Sequence, residues 1–193
     1  KGGSGLSSGY SGGYAGDAFI ANNSTLTFNN IFAAEAGDGG DGGYSYGSYG
    51  NAGNGGDAFK ADNSILNFNE TFTAIAGTGG RNGGACGKAL NVKSSEFTLG
   101  SNMSLLSHGG QTIGSGTFDN SKVVFKLGGV EREYQGDIIL KNDSTVTIDT
   151  IYNESLKKFG SINYKQGKLN LSSGLKDKTV SINLSVSSIP KVG

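Results

Sequence analysis

Residues 16–43, GDAFIANNSTLTFNNIFAAEAGDGGDGG, return forty residues later as GDAFKADNSILNFNETFTAIAGTGGRNG. More than half of the positions are identical, among them Gly16/Gly56, Asp17/Asp57, Phe19/Phe59, Ser24/Ser64 and Phe28/Phe68. A looser copy, GKALNVKSSEFTLGSNMSLLSHGG, begins at Gly87. Self-similarity at such a period marks one supersecondary unit stacked on its own copies, because no single unit can bury its apolar face alone. A length of 193 residues fits one domain. A stack of coils can be cut anywhere, so a piece of a longer stack is expected.

Inside each copy, polar and apolar residues alternate with period two, the strand signature. In the first unit Phe19 and Ala21 point inward, then Leu26 and Phe28, then Phe32, Ala34 and Ala36, with Asn22-Asn23 and Asn29-Asn30 between them. The second unit repeats this as Phe59/Ala61, Leu66/Phe68 and Phe72/Ala74/Ala76, and the third as Leu90/Val92, Phe97/Leu99 and Met103/Leu105. Three short strands per turn describe a triangular coil, and a stack of such coils is an all-β parallel solenoid, or β-helix. Asn and Gly suit its corners because both tolerate left-handed backbone. Asn can also stack on Asn in the next coil and share amide hydrogen bonds.

One element tracks the coil along the chain, Asn/Asp/Ser-Ser-x-apolar-x-apolar. It runs through Ser24, Ser64, Ser95, Ser121 and Ser144 at spacings of 40, 31, 26 and 23 residues, with a degenerate sixth copy expected at Leu169-Asn170-Leu171. The shortest spacing approaches a bare three-strand coil; the longer ones carry insertions. With parallel strands about 4.8 Å apart, seven or eight coils make a rod roughly 35 Å long.

The insertions, residues 37–56, 77–87 and 109–116, each follow the third strand of a coil and precede the first strand of the next. They must leave from one corner, stacked on each other. Residues 1–15 are expected to form a Gly/Ser/Tyr-rich edge loop, 16–127 coils with Gly-rich insertions, and 128–193 undecorated coils. The bland reading of the insertions is a set of flexible, Gly-rich excursions. The three-residue spacing of glycines from Gly39 to Gly43 is also compatible with polyglycine-II-like extended backbone. The functional reading is a tyrosine-bearing ridge, with Tyr44, Tyr46 and Tyr49 in one insertion and Tyr10 and Tyr14 in the edge loop. Tyrosine on small-residue loops supplies rigid contact area plus a hydroxyl, a common recipe for binding surfaces. Beyond residue 128, closely spaced strands are expected, with 151–159 as a turn of helix or an irregular corner.

Composition narrows the chemistry. Sixteen basic residues balance sixteen acidic ones without clustering, which argues against nucleic-acid binding. No apolar run is long enough to cross a membrane as a helix. Cys86 is the single cysteine and His108 the single histidine, so no internal disulfide framework exists, and the thiol reads as incidental rather than catalytic. Residues 53–59 partly fit a calcium-binding nonapeptide with Asp57 at its acidic position, as do residues 12–19 with Asp17, but no tandem copy follows nine residues on. The preferred reading is that each Asp caps the entry to a strand, leaving calcium as the only cofactor to consider. Outward residues of the second strands (Thr25/Thr27, Ile65/Asn67, Glu96/Thr98, Lys122/Val124, Thr145/Thr147) place no recurring acidic pair for polysaccharide hydrolysis. They also form no unbroken Thr-x-Thr ladder of the kind that binds ice.

The Asn-Ser-x-Leu-x-Phe coils, the Gly-Asn corners, the near-absence of Cys and the absence of Trp resemble the passenger domains of Gram-negative type V autotransporter adhesins. The texture is that of the fusobacterial and Helicobacter/Campylobacter kinds. The resemblance covers residues 16–190. It implies a right-handed parallel β-helix, export through an outer-membrane barrel, and residence at the cell surface or outside the cell. Cys86 and the length of the Gly/Tyr loops depart from that pattern. The expected role is a non-catalytic adhesin segment that attaches through the stacked loops to a surface protein or glycan of a host or neighbouring cell, with self-association possible in principle. The alternatives are a protomer of an extracellular filament or surface layer, and a polysaccharide-active enzyme.

Overall fold

The computed structural model of the chain describes residues 11–45, 48–153, 157–166, 169–171 and 179–186. Those residues form strands and no helix. The first coil is β1 (Phe19–Asn22), β2 (Thr25–Phe28) and β3 (Phe32–Glu35), followed by a small hairpin, β4 (Tyr44–Ser45) and β5 (Ser48–Tyr49). The second coil is β6 (Phe59–Asp62), β7 (Ile65–Phe68) and β8 (Phe72–Ile75). The third is β9 (Leu90–Lys93), β10 (Glu96–Leu99) and β11 (Met103–Ser107), with β12 (Thr112–Ile113) folded back on β11. The fourth is β13 (Ser115–Asp119), β14 (Lys122–Lys126) and β15 (Arg132–Gln135). The fifth is β16 (Asp137–Lys141), β17 (Thr145–Asn153), β18 (Lys158–Phe159) and β19 (Ile162–Gln166); β20 (Leu169–Leu171) and β21 (Thr179–Val186) begin a sixth.

First, second and third strands each stack on their own kind in a separate parallel sheet: β1-β6-β9-β13-β16-β20, then β2-β7-β10-β14-β17 with β21 beyond, then β3-β8-β11-β15-β19. This is the architecture of a β-helix-like solenoid, and its register follows the sequence repeat, with Phe19 opposite Phe59, Leu26 opposite Leu66 and Phe32 opposite Phe72.

The inward residues expected from the alternation fill the core. In the first two coils Phe19/Phe59, Phe28/Phe68 and Phe32/Phe72 stack nearly parallel, with centroids 5.0, 4.7 and 5.4 Å apart. Those gaps match the inter-strand spacing, so each ring sits on its counterpart one coil down. Within one coil the rings meet edge to face, as Phe28 and Phe32 do at 4.8 Å. Each such contact adds roughly 0.5–1.5 kcal/mol beyond burial. Small residues, Ala21, Ala61, Ala74 and Ala76, fill the rest of the narrow interior.

The first corner depends on two adjacent residues. Asn23, Asn63, Ser94 and Asn120 hold positive φ of 46–50°, a left-handed step that Asn accepts cheaply. Asn63 Nδ2 donates to Asn23 Oδ1 at 2.7 Å, and Asn69 repeats this with Asn29 at the next corner, so the expected Asn stacking occurs between these two coils. A second ladder runs inside it. The backbone N–H groups of Ser24, Ser64, Ser95 and Ser121 donate to the hydroxyls of Ser64, Ser95, Ser121 and Ser144, at 2.9–3.2 Å. Each accepting hydroxyl in turn donates to a backbone carbonyl, as Ser95 does to Lys93 O at 2.6 Å. These four serines are buried, and the ladder satisfies N–H groups that the corner would otherwise strand.

The second half tests three expectations. Among the described residues the first sheet holds six strands, against the seven or eight coils inferred from spacing for the whole chain. The sixth second-strand copy is not at Leu169–Leu171, which pairs with β16 in the first sheet. It is β21, whose Thr179, Val180 and Ile182 align with Thr145, Val146 and Ile148 of β17. Lastly, residues 151–153 and 157–159 form the irregular corner that was one of the two forms expected, built as a strand pair. β17 runs on to Asn153 and pairs antiparallel with β18, so this half also carries a protrusion, where plain coils were expected.

Candidate functional site

The Gly-rich insertions are not flexible excursions. Residues 12–16, 37–43, 50–56, 77–80 and 84–87 run side by side as extended segments, alternately toward and away from the coil, joined by backbone hydrogen bonds. Gly50, Gly53 and Gly56 donate to Gly43, Gly40 and Gly37 at 2.7–3.0 Å. Gly77 and Gly80 donate to Gly56 and Gly53, while Gly12 and Ala15 donate to Asn51 and Asn54. Gly55 donates to Ala85, and Gly87 to Gly77. The donors recur every third residue and point in different directions around each segment. That is the symmetry of polyproline II or polyglycine II backbone and not of a β-strand. Residues 50–56 lie at the centre, bonded to all four other segments.

Glycine is required here for space. A Cβ on Gly53 would lie 2.0 Å from the carbonyl oxygen of Gly13; on Gly77, 1.8 Å from that of Gly37; on Gly80, 2.1 Å from that of Gly40. No real side-chain carbon approaches an oxygen that closely, so any residue but glycine would push neighbouring segments apart. The conformational entropy lost by ordering glycine, near 1 kcal/mol more than for alanine, is offset by hydrogen bonds worth roughly 0.5–1.5 kcal/mol each.

Side chains occur only on the outside of the array, and several bind the next layer. Asp38 Oδ1 accepts from Thr78 N at 2.9 Å, Asp41 Oδ1 from Arg81 N at 2.6 Å, and Asn54 Oδ1 from Ala85 N at 3.0 Å. The two aspartates considered for calcium belong to this set. Asp17 accepts from Asp57 N through Oδ1 and from Lys60 Nζ through Oδ2. Asp57 accepts from Lys88 N at 2.7 Å and Asn91 Nδ2 at 2.8 Å. Both oxygens of each carboxylate are engaged by donors of the chain itself. The strand-entry role expected for them takes the form of a bond to the coil above.

Just past the Gly43–Gly50 rung, which lies six residues and about 19 Å beyond the Gly37–Gly56 rung, is the hairpin β4–β5. Tyr44 pairs with Tyr49 across it. Their rings pack at 4.7 Å, tilted by 50°, yet Tyr44 stays 60% and Tyr49 59% exposed. Tyr14, 78% exposed, follows Gly13, which pairs with Gly40, about 9 Å nearer the coil. The structure brings Tyr44 and Tyr49 together and leaves Tyr14 on the flank; Tyr10 and Tyr46 lie outside the described residues.

One feature escaped the sequence reading, the serine ladder, hidden because Ser at a corner signals a turn without saying which N–H it serves. Cys86 and His108, whose pairing the sequence reading sets aside, come from two insertions and lie in contact, with Sγ 3.5 Å from Nδ1 and 3.7 Å from Nε2. Among the described residues no helix is long and apolar enough to cross a membrane. Compared with known proteins, the chain matches no family model, no curated protein and no solved structure.

Proposed function

We propose that this chain is an adhesive segment, with the coil as scaffold, the glycine array as a rigid pedestal and the Tyr44/Tyr49 hairpin as the contact. The observation that carries the reading is the exposed, mutually packed tyrosine pair at the far end of a bonded array. Aromatic side chains held on a stiff support lose little entropy on binding, and most of their area is free to be covered. The partner is a protein or glycan on another cell surface. No catalysis and no metal are assigned. The resemblance to autotransporter passengers adds export to the surface of a Gram-negative bacterium. The test is attachment of the purified chain to cells or to immobilised surface glycans, with and without Tyr44→Ser/Tyr49→Ser. Loss of attachment with unchanged circular dichroism supports the reading; unchanged attachment refutes it.

A second reading, end-to-end assembly into a filament or layer, is favoured by one feature. β1, β2 and β3 are terminal in all three sheets, and Phe19, Phe28 and Phe32 are only partly buried where Phe59, Phe68 and Phe72 are fully so. Such edges, without Lys or Pro to blunt them, accept one more coil, from this chain or from another copy. Light scattering at rising concentration separates the two, since a strict monomer excludes assembly.

A further inference from the structure

We propose that Asn82 is a site of spontaneous deamidation, with water as co-reactant, and that the fold shields the other steps of the chain open to the same reaction. Deamidation begins when the backbone nitrogen of the next residue attacks the asparagine side chain. It is fastest where that residue is small, above all glycine, which has no side chain in the way. Five steps of the sequence pair Asn with Gly or Ser: Asn23-Ser24, Asn54-Gly55, Asn63-Ser64, Asn82-Gly83 and Asn120-Ser121. In four of them the attacking nitrogen is tied. Gly55 N donates to Ala85 O at 2.9 Å. The N–H groups of Ser24, Ser64 and Ser121 are donors of the serine ladder, at 2.9–3.1 Å. The side chain of Asn54 is held as well, since its Oδ1 accepts from Ala85 N at 3.0 Å.

Asn82-Gly83 lacks these ties. The bond from Gly84 N to Gly80 O at 3.1 Å closes the array, and residues 81–83 form an exposed turn outside it. Among the described residues, neither the Asn82 side chain nor Gly83 N has a hydrogen-bond partner. Asn82 has φ of 68° and Gly83 of 112°, so the peptide between them must rotate to turn Gly83 N toward Cγ. Glycine permits that rotation, and a Cβ at Gly83 would meet nothing within 4 Å, so no neighbour blocks it. The same rotation at Asn54 would break two backbone bonds, Ala15 N to Asn54 O and Gly55 N to Ala85 O.

In the reaction Gly83 N loses its proton to solvent base and attacks Cγ of Asn82. A C–N bond forms, the side-chain nitrogen leaves as ammonia, and a succinimide ring remains. Water then opens the ring at either carbonyl. Opening at Cγ gives aspartate; opening at the main-chain carbonyl gives isoaspartate, whose chain runs through Cγ. Either product sets a second carboxylate beside Arg81, whose Nε lies 4.0 Å from Asp41 Oδ2. The insertion 77–87 therefore gains negative charge with age.

The test ages the whole chain at mildly alkaline pH, folded and in guanidinium chloride, and follows each asparagine by peptide mapping with mass spectrometry. In denaturant the rates at Asn54 and Asn82 should be similar, because both precede glycine. In the folded chain Asn82 should convert at least about tenfold faster than Asn54, which reacts only when the array opens. Asn23, Asn63 and Asn120 should stay intact over the same period, and isoaspartate should appear at position 82. An unchanged ratio of the two rates between denatured and folded chain overturns the shielding. An Asn82 that converts in denaturant but stays intact in the folded chain overturns the site. Both arms use the unsubstituted chain, so no folding defect enters the comparison.

Discussion

A Cβ placed on Gly56 would sit 2.1 Å from the carbonyl oxygen of Gly16, whereas one placed on Gly16 would meet nothing within 4 Å. The two glycines occupy the same position in the repeat and neither has positive φ. They differ only in what lies beside them, Gly56 being flanked by the array and Gly16 lying at its edge.

That asymmetry gives the first prediction. Gly56→Ala should destabilise by more than 2 kcal/mol, about the cost of forcing an overpacked site open. Gly16→Ala should be neutral or stabilising by about 0.4–1 kcal/mol through reduced freedom of the unfolded chain. Thermal melts of the two variants, side by side, provide the check.

A second matched pair tests the serine ladder. Ser95→Ala removes the acceptor for Ser64 N in a buried corner, so it should cost roughly 1–3 kcal/mol. Ser24→Ala removes only a local bond to Asn22 O and should cost clearly less. Equal losses in urea unfolding would mean that the ladder is not what serine supplies here.

The left-handed corner residue gives a third. Asn63 has φ of 49°, a conformation that costs an ordinary L-residue about 1–2 kcal/mol. Asn63→Gly should keep stability within a few tenths of a kcal/mol of Asn63→Asp, and Asn63→Ala should fall below both by about 1 kcal/mol. Equilibrium denaturation ranks the three.

Calcium supplies a fourth. The carboxylates of Asp17 and Asp57 already accept from backbone and side-chain donors. Chelator should leave the melting temperature unchanged, and millimolar calcium should not raise it. A calcium-dependent rise would mean that these carboxylates exchange their donors for a cation.

Much of this fold was legible because period-two alternation and repeat register are local signals. Phe19, Phe59, Leu66 and Phe97 point inward as the alternation requires, and the expected pairings along β2, β7, β10, β14 and β17 hold residue for residue. Legibility fell where the repeat decayed. The resemblance of Asp177-Lys178-Thr179-Val180 to Asp143-Ser144-Thr145-Val146 was the signal for the sixth second strand. Lys178 in place of Ser broke the pattern that was being followed. The array was half legible: three-residue glycine spacing suggested extended backbone. Its bonds join residues at separations as different as those of Gly50 with Gly43 and Gly12 with Asn51, and they follow no alternation of side chains, since the interior positions have none. The meeting of Cys86 with His108 depends on how two insertions of unequal length stack, which no local pattern encodes.

Amide hydrogen exchange resolved to Gly37, Gly40, Gly53, Gly56, Gly77 and Gly80 tests the central claim, that the insertions form a bonded pedestal, most directly. The account predicts protection at Gly40, Gly53, Gly56, Gly77 and Gly80 comparable to that of the neighbouring strands β6 and β8, with Gly37, whose bond is the longest at 3.4 Å, the weakest. Exchange of all six at the rate of unstructured glycine would contradict it, and would take the rigid support away from Tyr44 and Tyr49.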